Sequence, residues 1–293
     1  MATPLVGRTE ALVDTLLRSR GARYAGLLVG IGALAFLVLS LLNAGESALD
    51  WFRAVTPVQV AVALAGFGGL HVAMVLTLRA VFVGPALRLW GAAQLVKYLP
   101  VPGSALLGMV GSTVRGGGTT RQGVAVTLRH SLLQVGGAMI VGTAAAAPLA
   151  VRLLGIPIPV TAVAGLAAGA AVAWLGVRHL PLRSGLAATV LMVVAWQVLG
   201  LSLAYGVAQG VGPPVIVGAS FAAAWVIGQL ALPVPAGIGV REAVLVLLLG
   251  PVLGEVGALS FALGTRVLHV ASDAVLALLV LGRGGVRTLG RPR

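Results

Sequence analysis

Between Arg183 and Arg241 the chain runs for 57 residues without one formally charged side chain. As a single helix rising 1.5 Å per residue this stretch would measure about 85 Å, against a bilayer hydrocarbon core of about 30 Å. It must therefore fold back at least twice. Gly210-Val211-Gly212-Pro213-Pro214 supplies one turn, and Leu232-Pro233-Val234-Pro235-Ala236-Gly237 supplies the other. The whole chain shares this character: 59% of it is apolar and 9% charged, where an ordinary soluble domain has roughly 25% charged residues. One soluble core could not hide that much apolar side chain and keep a wet surface. Lipid is the solvent this sequence expects.

Segments of about 20 apolar residues mark spanning helices. Ala25–Leu42 is the first and Ala54–Leu78 the second, with a lone His71 inside it. The pattern then breaks into Ala80–Leu87, Leu89–Val96 and, beyond a Pro-Gly interruption, Ser104–Val114. His130–Val151 and Leu153–Val177 are full spans, and the last runs from Val256 to Leu281. The expected fold is an all-α polytopic membrane protein of about six full spans plus two broken or re-entrant hairpins, up to eight or more membrane segments. Residues 1–23 form a basic N-terminal tail, 24–282 a single transmembrane domain and 283–293 a basic C-terminal tail.

The net charge of +13 does not indicate a nucleic-acid partner. Aromatic residues are 5% of the chain, too few for a base-stacking surface. The basic residues fall between apolar runs instead, as the positive-inside bias requires. Arg8, Arg18, Arg20 and Arg23 precede the first span, and Arg283, Arg287, Arg291 and Arg293 follow the last. Arg79, Arg88, Lys97, Arg115, Arg121, Arg178 and Arg183 are assigned to the same side. The other side holds Glu46, Asp50, Arg53, Arg152 and the uncharged turn Gly210–Pro214. Both termini are expected in the cytoplasm of a cell-membrane protein. The first span is long and lacks a small-residue cleavage site, so no cleavable signal peptide is expected. Cysteine is absent, which excludes disulfides, thiolate metal sites and a Cys nucleophile.

Two segments match. Gln94-Leu95-Val96-Lys97-Tyr98-Leu99-Pro100-Val101-Pro102-Gly103 and Gln229-Leu230-Ala231-Leu232-Pro233-Val234-Pro235-Ala236-Gly237 both run from Gln-Leu through Leu-Pro-Val-Pro to Gly. A full span precedes each, and a segment carrying Arg129 or Arg266 follows. Two prolines and a glycine so close together end a helix, because proline lacks the donor and clashes with the preceding turn. Span parity gives the two units, about 54–151 and 184–282, opposite orientation. Inverted repeats with interrupted helices place a polar site near the bilayer midplane. In the plainer alternative, both breaks are surface turns.

These segments, above all Leu232-Pro233-Val234-Pro235-Ala236-Gly237-Ile238-Gly239-Val240-Arg241-Glu242, resemble the lysylphosphatidylglycerol synthase transmembrane (flippase-like) family. The resemblance extends over roughly Tyr24–Leu281. It implies an all-helical membrane domain that moves an aminoacylated phospholipid between leaflets, without the soluble aminoacyltransferase domain of the best-known members. Where relatives often carry an acidic residue beside the arginine aligned with Arg129, this chain has Leu128.

Charged groups inside membrane segments cost about 2.5–3.5 kcal/mol each on insertion scales and so face a cavity or a partner. Arg241 and Glu242 follow the second break directly. Arg241 is suited to a lipid phosphate through its planar fork of donors, and Glu242 to an amino group. Alternatively, Glu242 neutralises Arg129 or Arg266 and fixes packing. Arg266, His269 and Asp273, at i, i+3 and i+7, share one face of the last helix. Arg129, Arg241, Glu242, Arg266, His269 and Asp273 are thus the candidate substrate-binding residues. Pro100, Pro102, Gly103, Pro233, Pro235, Gly237 and Gly239 would line the site at the breaks. Only His71 and His130 remain to complete a metal site, and none is expected. Gly116-Gly117-Gly118 lacks the Gly-Lys-Ser/Thr of a nucleotide loop, so no cofactor is expected. Gly26-x-x-x-Gly30 and Gly165-x-x-x-Gly169 read as helix packing.

The expected activity is non-enzymatic: transfer between leaflets of an anionic or amino-modified phospholipid, or of a polyprenyl-phosphate-linked lipid. One alternative is a membrane subunit that anchors, or supplies lipid to, a separate synthase or glycosyltransferase. Another is a membrane-embedded lipid-modifying enzyme using Glu242, His269 and Asp273.

Overall fold

The computed structural model describes residues 39, 42, 45–47, 49–82, 86–97, 104–115, 118–231 and 237–280. Both tails, most of the first expected span and both Leu-Pro-Val-Pro segments lie outside them, as do Pro100, Pro102, Gly103, Pro233 and Pro235. The regular structure of the described residues is helical: α1 (Pro57–Val81), α2 (Ala86–Val96), α3 (Ser104–Arg115), α4 (Thr120–Leu154), α5 (Ile158–Val177), α6 (Leu182–Gly206), α7 (Pro214–Leu230) and α8 (Val240–Val280).

Five of these, α1, α4, α5, α6 and α8, are long and apolar enough to cross a membrane. Their outer faces are apolar too. On α6, Leu186, Val190, Val194 and Val198 recur at helical spacing and all are about half exposed, a face that water would not tolerate at this length. The chain is a membrane protein.

The helix ends depart from the apolar runs where local chemistry overrides hydropathy. α4 begins at Thr120, ten residues before the expected His130, because Thr119 and Gln122 form a capping box that holds Arg121 and Arg129 within the helix. Thr56 and Gln59 do the same for α1. Gly155, in the left-handed region at φ 68°, ends α4. Pro157 and Pro159 then delay α5 to Ile158, where a start at Leu153 was expected. The fragments expected at Ala80–Leu87 and Leu89–Val96 resolve into the end of α1 and the single helix α2. α8 starts sixteen residues before Val256 and is two helices joined at a kink, where Gly254 takes φ 73° and ψ 164°, a conformation open to glycine alone. The Gly210–Pro214 turn is present, with Gly210 and Gly212 at φ 77° and 79°.

Glycine contacts fix the relative directions of the helices. A Cβ on Gly66 would meet Ser202, and one on Gly206 would meet Gln59 and Ala63, so α1 and α6 run antiparallel. Gly165 packs on Thr143, Gly169 on Ile140 and Gly176 on Leu133, which makes α4 and α5 an antiparallel pair with Gly165-x-x-x-Gly169 in its seam. Trp51 and Phe52 pack against Gly257 and Gly264, and Trp51 Nε1 donates to the Val207 carbonyl at 3.1 Å. The starts of α1 and α5, the α6–α7 turn and the Gly254 kink therefore share one side. The end of α1, residues 118–119 and the turn at 178–181 share the other.

Between those sides, α2 and α3 are 11 and 12 residues long, or about 17 Å each, too short to cross. The stretch 240–253 folds back along α7: Gly237 sits against Gly228, and Val252 against Gly212. The packing is reciprocal, with α4 against α7 and α8 against α2.

Backbone meets backbone where Gly200 of α6 crosses Gly218 of α7: a Cβ on Gly200 would lie 2.6 Å from the Gly218 Cα. Backbone cannot yield as a side chain can, so Gly200→Leu should destabilise the fold by about 1–3 kcal/mol. Gly69→Ala, with nothing within 4 Å of its Cβ, should leave the melting temperature in detergent unchanged or slightly raised. Equal melting temperatures for Gly200→Leu and wild type would contradict this packing.

Candidate functional site

The interior polar site is built around Asp273, 1% exposed in the C-terminal part of α8. Lys97, the only lysine of the chain, reaches it from the end of α2 with Nζ 2.8 Å from Oδ2. Lys97 also donates to Gln94 Oε1 at 2.8 Å. Two histidines approach the same carboxylate: His71 Nε2 at 3.4 Å and His269 Nε2 at 3.7 Å. Each histidine is held from behind by a group that can only donate. Trp90 Nε1 donates to His71 Nδ1 at 3.2 Å, and Arg241 NH1 to His269 Nδ1 at 2.9 Å. Both Nδ1 atoms therefore accept, and both Nε2 atoms face Asp273, with Lys97 Nζ also 3.4 Å from His269 Nε2. Ser272 Oγ, which donates to the His269 carbonyl at 2.8 Å, offers His71 Nε2 a second acceptor at 3.3 Å.

Glu242 is the second buried carboxylate, at 0% exposure. Its Oε2 accepts the Gly239 N–H at 2.7 Å, capping the first turn of α8 as a carboxylate at this position should. Its Oε1 faces Arg241 Nε at 3.5 Å and Arg266 NH1 at 3.6 Å. Arg241 also stacks over Phe221, 5.2 Å from the ring centroid, and His269 stacks on Phe67. The described cluster thus holds three fixed cations, Lys97, Arg241 and Arg266, and two carboxylates. Guanidinium and ammonium donors gathered in this way suit an anion.

Two cavities adjoin it. A pocket of about 70 Å³ lies inside, lined among others by Trp90, Gln94, Lys97, Trp225, Gln229 and His269. It has room for a few waters. A lipid-facing groove of about 470 Å³ runs between α1 and the C-terminal part of α8, lined by apolar side chains with His71, Ser272 and Arg79. His71 borders both. A second buried histidine, His130, closes the interior below Trp90. Its Nε2 donates to the Met74 carbonyl at 2.9 Å and its Nδ1 meets Gln134 Nε2 at 2.6 Å. Among the described residues no three His, Asp or Glu side chains could hold a metal ion.

Of the residues singled out from sequence, Arg241, Glu242, Arg266, His269 and Asp273 come together here, with Gly239 at their edge. Gly237, at φ 64°, holds the close approach to Gly228. Arg129 stands apart on α4, its backbone against Gly176 and its charge beside His179 of the 178–181 turn. Partial desolvation first, and the Arg129 guanidinium second, hold the His179 imidazole below its ordinary pKa. Lys97 and His71, central to the site, are not among the residues singled out. Lys97 is counted in the sequence as a loop charge, whereas its side chain is 15% exposed. One signal could have found the pocket. Trp90 and Trp225 stand four residues before Gln94 and Gln229, extending the repeat to Trp-x-x-x-Gln-Leu. Residues four apart share a helix face, and all four line the interior pocket.

No protein-family model matches the chain, and no curated protein matches its sequence.

Removing the carboxylate from Asp273 takes away the charge 2.8 Å from the Lys97 ammonium, and breaking a buried pair costs about 3–5 kcal/mol. Asp273→Asn should therefore lower the melting temperature sharply, and the double variant Asp273→Asn/Lys97→Met should recover most of the loss. A double variant no more stable than Asp273→Asn alone would show that the pair does not govern stability.

Proposed function

We propose that this protein carries a phosphate-bearing lipid across the membrane, its head group passing through the interior site between α1, α2, α7 and α8. The observation that carries the reading is the gathering of Lys97, Arg241 and Arg266 in the interior beside an apolar groove. A fixed positive charge in a membrane interior is costly unless it serves a pathway or ligand, and guanidinium groups pair with phosphate oxygens through parallel donors. The sequence likeness to the flippase-like family points the same way, and the substrate class includes anionic or amino-modified phospholipids and polyprenyl-phosphate-linked lipids. A non-catalytic subunit supplying lipid to a separate synthase or glycosyltransferase would use the same site.

In this reading α2–α3 is a re-entrant hairpin entering from one face, and α7 with 240–253 is its counterpart from the other. Support comes from the antiparallel run of α1 and α6, the reciprocal packing and the paired Trp-x-x-x-Gln-Leu motifs. The hairpin tips would then meet at the midplane, where discontinuous helices place ligand sites. Arg79, Arg88, Arg121, Arg178 and Arg183 cluster toward one side, and Asp50, Arg53, Arg152 and Glu255 toward the other, which makes the first side cytoplasmic in a cell-membrane protein.

Two experiments test this. In liposomes with head-group-labelled phosphatidylglycerol, the protein should accelerate exchange between leaflets, and Lys97→Gln or Arg241→Gln should slow it about tenfold, the kinetic equivalent of about 1.4 kcal/mol. Equal exchange with and without protein, across several phosphate-bearing lipids, would sink the transport reading. For orientation, single cysteines replacing Arg53 and His179 in this cysteine-free chain should be labelled from opposite sides, His179→Cys from the cytoplasm. Labelling from one side alone would refute the arrangement.

A further inference from the structure

The groove between α1 and the C-terminal part of α8 has a definite construction. Leu64, Gly68, Val72 and Leu76, each four residues after the last, form one wall, and Val275 and Leu279 form the other. Four-residue spacing keeps all of the first set on one helix face. Gly68 deepens the groove: a Cβ there would meet nothing within 4 Å. A volume of about 470 Å³ falls within the range of about 300–1,000 Å³ typical of sites that enclose a small ligand.

Its polar groups are few and placed unequally. Arg79 stands at the end nearer the 178–181 side, eight residues or about 12 Å along α1 from His71. His71 and Ser272 form the inner wall, and the far face of His71 borders the pocket that holds Lys97. An apolar trough with a cation at its rim and another behind a single imidazole matches an amphiphile with a hydrocarbon chain and an anionic head.

The geometry points to this groove as the lateral doorway of the site. It seats one hydrocarbon chain of the phosphate-bearing lipid, whose head group lies first at Arg79 and then passes His71 toward Lys97. The inference rests on the transport reading and deepens it by fixing the entrance and its gate. The interior pocket, at about 70 Å³, is too small for a head group as it stands. Entry requires the His71 ring to leave its Trp90 hydrogen bond and swing out of the partition.

The test uses the full chain in phosphatidylglycerol vesicles containing phosphatidylglycerol with a photoactivatable diazirine in one acyl chain. Adducts should form on Val72 and Val275. Gly68→Leu, whose Cβ has nothing within 4 Å, should fill the trough and lower their yield about tenfold, the equivalent of about 1.4 kcal/mol. Gly69→Leu adds the same side chain on the neighbouring position, where a Cβ also has nothing within 4 Å, and should label as wild type does. Both variants are checked for an unchanged melting temperature. Equal labelling of the two variants overturns the proposal. So does equally strong labelling by a diazirine diacylglycerol, which lacks the phosphate, or cross-linking of Val275→Cys to a second copy through the groove. Lipid exchange by Gly68→Leu at the wild-type rate would remove the doorway and leave transport standing. Specific groove labelling without any lipid exchange would leave the seat standing and remove transport.

Discussion

A carboxylate sunk among apolar helices has no water to share its charge, so whatever neutralises it must come from the protein and stay there. Asp273 is in that position, and the neutralising lysine comes from α2, a helix too short to cross the bilayer alone. The pairing fixes how far α2 extends inward, and it draws two histidines into line. Each ring has its inner nitrogen pointed at Asp273 and its outer nitrogen occupied by a donor, Trp90 for one and Arg241 for the other. Through Arg241 the network continues to Glu242 and to the cap of α8. Helices distant in sequence are thereby locked to one another by charge, where lipid-exposed surfaces give no hydrophobic force to hold them.

The remaining cohesion is steric. Glycines line the crossings of α1 with α6, α4 with α5 and α6 with α7, and bring backbone to within contact of backbone or of short side chains. Close approach is how membrane helices gain dispersion energy when their surroundings are as apolar as they are. It also leaves large apolar side chains free to face outward, as Leu186, Val190, Val194 and Val198 do.

The amino-acid sequence displayed the apolar spans and much of the candidate site, for reasons that can be traced residue by residue. Arg266, His269 and Asp273 were readable as one face because helical spacing guarantees it, and Arg241 and Glu242 because ionisable groups beside a break are rarely idle. Lys97 was not, since a cation between two apolar runs looks the same whether it ends in water or against a carboxylate. Its partner lies 176 residues away, a separation that no local pattern encodes. His71 was hidden in the same way. Arg129 follows the first break as Arg266 follows the second, yet it stands apart from the cluster. α4 is one helix from its Thr119 cap onward, whereas 240–280 is interrupted at Gly254.

The partition between groove and pocket is one imidazole thick. On one side of the His71 ring lies hydrocarbon, and on the other a pocket whose walls carry fixed charges. The local dielectric therefore changes steeply over the width of a ring. A charged group passing there would exchange one environment for the other almost at once, over a distance far shorter than the thickness of the membrane.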